Sequence, residues 1–395
     1  MPYGKEWNAR RALVAREFSS KQTVERYEPD VIKAVRSFLR DLLREPDGFC
    51  QLLRHMAGSL ILSATYGLTI NSAEIGDPVI AMAEKALDGF VAAAVHGTFW
   101  VDYLPILKYI PSWLPGASFK RKAEEWNKVT ENMLNGPYDK VKLNNEIGSK
   151  RSCFVSNCLD RIKALAEDGQ EAEETVIKET AGALYAAGTD TTVTAAHSFF
   201  LAMVRHPDVQ RKAQEELDGA VGRDRLVDFQ DMANLPYVCA VANEVMRYQP
   251  VAPIGLPRLV TEEDEYRGFR IPKDSVIIAN AWSILRDETA YGPHTDVFDP
   301  SRFLTAEGKL NVDIPDLSPS FGFGRRICPG QHFAVSTIYA VVASVLQCFY
   351  ISAIGDVKEE YISSLQNRPK PFKCNISVRS VQHENLIRSI VDYND

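Results

Sequence analysis

Residues Phe333 through Gly355 run for 23 positions without one charged side chain or histidine. A helix that is apolar all round belongs in a bilayer, where roughly 20 residues suffice to cross, or in the middle of a large core. Ser336, Thr337, Ser344 and Gln347 dilute the run, so we read it as a buried core helix that continues into a strand near CFYISAI. Such a helix needs protein on every side. The chain has 395 residues, 45% of them hydrophobic, and its size passes the range in which one compact core suffices, so one large unit or two lobes are expected.

Amphipathic helical patterning covers residues 5 to 17, 22 to 44, 51 to 66, 76 to 95, 117 to 146, 172 to 204, 207 to 220 and 235 to 248. Strand-like sequence comes late, in LPRLVTEEDEYRGFRIPKDSVIIAN (256 to 280) and FKCNISVRS (372 to 380). The expected fold class is therefore mainly α with a small β-sheet region. A formal charge of -7 argues against nucleic acid as a partner. The seven cysteines are scattered, with neither a C-x-x-C pair nor zinc spacing, which excludes a disulfide framework and fits a reducing compartment.

Three constellations carry chemistry. In ETAGALYAAGTDTTVTAAHSFFLAMV (179 to 204), Thr189, Asp190, Thr191 and Thr192 interrupt an apolar helix beside Gly188. Threonine hydroxyls that bond a carbonyl four residues back make a local kink and a polar notch plausible there; a patch satisfied by neighbouring helices is the alternative. In PYVCAVANEVMRYQP (236 to 250), Glu244 and Arg247 share one helix face among apolar neighbours, and Arg302 of FDPSRF is a candidate third partner for a buried pair. In FGFGRRICPG (321 to 330), Cys328 stands just before a helix, whose unpaired N–H groups and dipole favour a thiolate. Gly322, Gly324 and Gly330 allow close approach to something flat, and Arg325 and Arg326 suit carboxylates. Together these features describe the proximal ligand site of a haem, although a buried, inert cysteine is the commoner fate of any one cysteine.

The last stretch fits the signature F-x-x-G-x-R-x-C-x-G at Phe321, Gly324, Arg326, Cys328 and Gly330. With AGTDTT (187 to 192), the E-x-x-R of Glu244 and Arg247, and PSRF (300 to 303), the chain resembles the cytochrome P-450 superfamily of haem-thiolate monooxygenases. YGKEW, EDEYRGFRIPKDS and RPKPFKC resemble the fungal microsomal branch, in particular members labelled O-methylsterigmatocystin oxidoreductase-like. The resemblance starts at Trp7 and places Trp7 and Arg11 near the start, where the family has them well inside the chain. It implies a single catalytic domain, 1 to 395, of an N-terminally shortened form lacking the anchor, first helices and first sheet strands.

The resemblance further implies haem b, with Cys328 as its axial thiolate and metal ligand. Trp7, Arg11, Arg258 and Arg326 would hold its propionates, Phe321 would shield the sulfur, and Gly324 and Gly330 would shape the loop. Thr191, with Asp190, would manage protons for oxygen activation, Gly188 leaving room for dioxygen, while Glu244, Arg247 and Arg302 would be structural. Leu184, Tyr185, Ala187, Val251, Ile254 and Leu365 would line a pocket for a small lipophilic substrate. NADPH-cytochrome P-450 reductase, with cytochrome b5 as a further donor, would supply electrons to a monomer on the cytosolic side of the endoplasmic reticulum. For a chain without an anchor, a cytoplasmic location is the alternative, and TFWVDYLPILKYIPSWLPG (98 to 116) is the candidate for peripheral membrane contact. A non-catalytic remnant unable to hold haem, and a reductase-independent enzyme that rearranges peroxides, remain the alternative functions.

Overall fold

Nearly every amphipathic period becomes a helix in the computed structural model, which describes residues 1–69, 78–94, 97–149, 151–163, 167–363 and 366–390. The chain forms two compact units, Met1–Val193 and Thr194–Asp395. The first contains α1 (Lys5–Phe18), α2 (Lys21–Glu25), α3 (Glu28–Arg44), α4 (Phe49–Tyr66), α5 (Pro78–Ala94), α6 (Ser118–Glu146), α7 (Phe154–Ile162) and the first part of α8 (Glu167–Arg205). The stretch expected as one helix over 22 to 44 is two, because Pro29 lacks an N–H and fits only a first helical turn, here that of α3. Gly67, at φ 65, closes α4 in the left-handed region where a side chain is disfavoured.

Helix α7 was not legible in the sequence. Its lead-in is set by Cys153, whose sulfur accepts from Ser156 N–H at 3.4 Å while Ser156 Oγ accepts from Cys153 N–H at 3.0 Å. Nearby, the wholly buried Glu17 of α1 collects Arg26, Tyr27 Oη (3.3 Å), Asn157 Nδ2 (3.3 Å) and Arg161 (2.7 Å). One carboxylate thus joins α1, the α2–α3 link and α7.

The second unit holds the rest of α8, then α9 (Pro207–Ala220), α10 (Pro236–Tyr248), α11 (Ala281–Ile284), α12 (Glu288–Tyr291), α13 (Ser318–Phe321), α14 (Gln331–Cys348) and α15 (Val381–Arg388). Its strands pair two by two, all antiparallel. β1 (Arg258–Leu259) meets β4 (Val276–Ile277), and β2 (Asp264–Tyr266) meets β3 (Phe269–Ile271). β5 (Phe349–Ala353) meets β8 (Cys374–Val378), and β6 (Tyr361–Ser363) meets β7 (Asn367–Pro369). The fold is mainly helical with small sheets, as the patterning implies.

The uncharged run behaves as its dilution with hydroxyls suggests. Helix α14 is long and apolar enough to cross a membrane, yet 72% of it is buried within the protein, and it passes directly into β5. From α9, two buried glutamines serve β5 as a substitute strand. Gln210 donates to Ile351 O (2.9 Å) and accepts from Ile351 N–H (2.8 Å), and Gln214 donates to Phe349 O (3.0 Å).

Candidate functional site

In the second unit, the lead-in to α14 follows from its glycines. Gly322 (φ 93) and Gly324 (φ 57) take left-handed conformations that would strain a side chain, and a Cβ on either would meet nothing within 4 Å. The loop folds back so that Cys328 N–H donates to Phe321 O (2.8 Å), ahead of Pro329, Gly330 and α14. Phe321 packs against the cluster of Ala240, Met246, Leu285, Tyr291, Phe303 and Leu317, which anchors the start of the loop. Arg258, on β1, reaches the same loop by donating to Phe323 O (3.3 Å). Cys328 is exposed, whereas the other six cysteines are buried or half-buried. A cysteine kept for packing would be inside.

Behind the loop lies the charge cluster. Glu244 and Arg247, both 0% exposed, pair through Nε–Oε2 (2.6 Å) and Nη2–Oε1 (2.8 Å). Arg302 Nε joins Oε1 of the same carboxylate at 3.2 Å, as does Asp299 N–H at 2.8 Å. The third partner anticipated from the sequence is therefore in place. Burial pushes the Glu244 carboxyl up, against the pull of Arg247 and Arg302. What the sequence did not reveal is that backbone carbonyls of Leu285, Thr295 and Val297 take the remaining donors of Arg247, because loop carbonyls carry no sequence signature. Arg286, stacked over Trp282 with its guanidinium 3.3 Å from the ring centre, is a further cation beside this cluster; burial and Arg247 pull it down to about 10.

In the first unit, α8 runs as one helix through the threonine cluster, where a kink and a satisfied polar patch are the two readings of the sequence. Thr189, Thr191 and Thr192 bond the carbonyls of Tyr185 (3.0 Å), Ala187 (2.8 Å) and Gly188 (2.7 Å), so the hydroxyls are satisfied within the helix without breaking it. Thr191 is half-buried and Asp190 buried. A Cβ on Gly188 would lie 2.6 Å from Ile61 Cδ1, so this glycine also admits α4 against α8. Leu184 is half-buried and Ala187 exposed; Tyr185 is fully buried, its hydroxyl donating to Val79 O (3.2 Å). On α1, Trp7 and Arg11 are half-buried, Trp7 edge-on to Tyr3 at 4.8 Å, while Arg10 pairs with Glu179 of α8.

Val251 is half-buried and Ile254 exposed, in the loop after α10, and Leu365 lies outside the described residues. Among the described residues no cluster of histidine, cysteine, aspartate and glutamate could hold a bare metal ion. The residues present do fit a haem. They offer one exposed thiol, glycines that keep its surroundings clear, and arginines Arg258 and Arg326 on or beside the loop.

A mainly helical chain with this loop, this buried glutamate–arginine pair and this threonine helix is of the haem-thiolate oxygenase class. The profile of the family described as cytochrome P-450 matches residues 1–376, and the chain belongs to that family. It is similar to cytochrome P-450 monooxygenase 98 of Postia placenta, with 38% identity over 98% of this chain and 75% of the relative. It is also similar to tryptamine 4-monooxygenase of Psilocybe cyanescens, at 36% over 98% of this chain and 76% of the relative. Cytochrome P-450 monooxygenase ppsD of Aspergillus oryzae is 36% identical over 99% and 74%. The chain is accordingly an oxygenase of haem-thiolate type.

Proposed function

We propose that the chain inserts one atom of dioxygen into a small lipophilic substrate, using haem b and electrons from a flavin reductase. The observation that carries this reading is Cys328, exposed in a left-handed glycine loop at the start of a buried helix. The bound haem supplies the oxygen-activating iron centre. Cys328 would be its thiolate ligand, and the Cys328 N–H bond to Phe321 O holds the residue at a fixed point of the loop. Arg326 and Arg258 would bind propionates of the haem by charge-assisted bonds.

The proton work falls to Thr191 and Asp190. The Thr191 hydroxyl donates to Ala187 O, which leaves its oxygen lone pairs to accept a hydrogen bond from water; rotation about Cβ–Oγ would turn the O–H outward to donate, the proton it passes on being replaced from that water. Val251 and Ile254 would give the substrate an apolar wall. One relative is named tryptamine 4-monooxygenase, which supports trying small aromatic amines as substrates. NADPH-cytochrome P-450 reductase, with cytochrome b5 as a second donor, is the proposed electron source. The proposed setting is the cytosolic surface of the endoplasmic reticulum, with residues 98–116 as the membrane contact.

The test is the difference spectrum of the reduced chain with carbon monoxide. A thiolate-type Soret band that Cys328→Ser abolishes is expected, and a band surviving in Cys328→Ser would rule out this ligand.

A further inference from the structure

The loop after α10 is held by a polar chain that points in one direction. Asn367, 3% exposed at the start of β7, donates its backbone N–H to Val251 O (2.9 Å) and its Nδ2 to Gln249 Oε1 (2.9 Å). Gln249 Nε2 donates in turn to Glu359 Oε1 (3.0 Å), and Glu359 Oε2 accepts from Tyr248 Oη (3.3 Å). Arg205 Nε lies 3.8 Å from Glu359. A carboxylate only accepts, so Glu359 fixes which way the Gln249 amide faces; Gln249 then presents its oxygen to Asn367, and Asn367 must present its nitrogen. The neighbouring Gln366 is fixed as well, its Oε1 accepting from Arg368 Nε (3.1 Å) and from Thr194 Oγ1 of α8 (3.4 Å). On the far side of the loop, Trp282 N–H donates to Pro253 O (2.8 Å).

We infer that Asn367 and Gln249, oriented by Glu359, are positioning residues for substrate selectivity: they lock the segment 251–255 to the β6–β7 hairpin. The inference rests on the reading of Val251 and Ile254 as substrate-lining. The side chains of the lock need touch no substrate. They set where Val251 stands, and a displacement of that wall discriminates between ligands of different bulk.

The directionality supplies the test. Asn367→Asp sets an acceptor against Gln249 Oε1 and adds a charge near Glu359, so the lock should open. Combining it with Glu359→Gln moves the carboxylate to the other end of the chain of bonds. Gln249 can then flip, accept from the new amide and donate to the new aspartate, so the double variant should close the lock again. Two readouts are taken on each protein. One is amide hydrogen exchange at residues 251–255 and 366–369. The other is the ratio of affinities for imidazole and 4-phenylimidazole, read from the haem difference spectrum. Asn367→Asp is expected to raise exchange in both segments and to shift the affinity ratio on the order of tenfold, with the double variant restoring both. Unchanged exchange in Asn367→Asp, or a double variant no better than the single, would overturn the lock. Raised exchange with an unchanged ratio would overturn its part in selectivity. A wild-type chain without a haem band would sink the functional reading instead, and the exchange measurement would still decide the lock.

Discussion

Arg247 places all five of its guanidinium N–H donors on protein acceptors, two on Glu244 and three on carbonyls of Leu285, Thr295 and Val297. A buried ion pair repays its desolvation only under such conditions, and removing one member leaves the other stranded. Arg247→Ala should therefore destabilise the chain by about 3–5 kcal/mol, measured as the fall in the urea midpoint. Arg247→Lys should recover little of this, because three rotating ammonium donors do not match a planar fork of five. A loss below about 1 kcal/mol would mean that Arg302 alone balances Glu244. At the same scale, Cys328 is the one exposed cysteine, in a loop whose Gly322 and Gly324 have open space where a Cβ would stand.

Short elements here depend on single carboxylates. The short helix Phe229–Asn234, which leads to α10, is held at its start by Asp231, which accepts Asp228 N–H (2.9 Å) and a bidentate fork from Arg225 (2.7 and 2.5 Å). Its Arg225 bonds hold the Asp231 carboxyl below its ordinary 3.8, against burial. A folded value below the unfolded one means stability that is present above the unfolded value and lost as pH falls through the folded one. Stability should thus decline as pH drops below about 3.8, and Asp231→Asn should flatten that limb of the curve of melting temperature against pH. An identical slope in the variant would assign the acid limb to other carboxylates. Elements of this kind were the hardest to foresee. Long helices such as α9 and α10 were legible to within a residue or two, because they bury one face and repeat it. Helix α7 was hidden, because its start depends on a cysteine acting as a cap. Glu17, Gln249 and Asn367 were hidden too, since their partners lie far away in sequence.

At the scale of the molecule, the first unit turns a set of large apolar side chains outward. Trp100 is 76% exposed and Tyr109 74%, on two short turns, and Trp113, beyond Pro111, is 77% exposed. Asp102 tightens the first turn by accepting from Gly97 N–H (3.0 Å) and Phe99 N–H (3.2 Å), so the aromatics are presented and not simply left over. If they enter a bilayer interface, replacing Trp100 and Trp113 by Ser should lower partitioning to phosphatidylcholine vesicles by roughly tenfold or more in a flotation assay. Unchanged partitioning would remove the segment from the membrane. The composition of this stretch was readable in advance; its degree of exposure was not, because prolines break the periodicity from which burial is inferred. The glutamines of α9 bear on a different hazard. An open strand edge is a template on which a second chain can add itself, and among the described residues β5 pairs with β8 on one side only. With Gln210 holding both the N–H and the C=O of Ile351, and Gln214 the C=O of Phe349, that part of the template is already taken from within, which denies crowded copies of this chain those groups for starting a shared sheet.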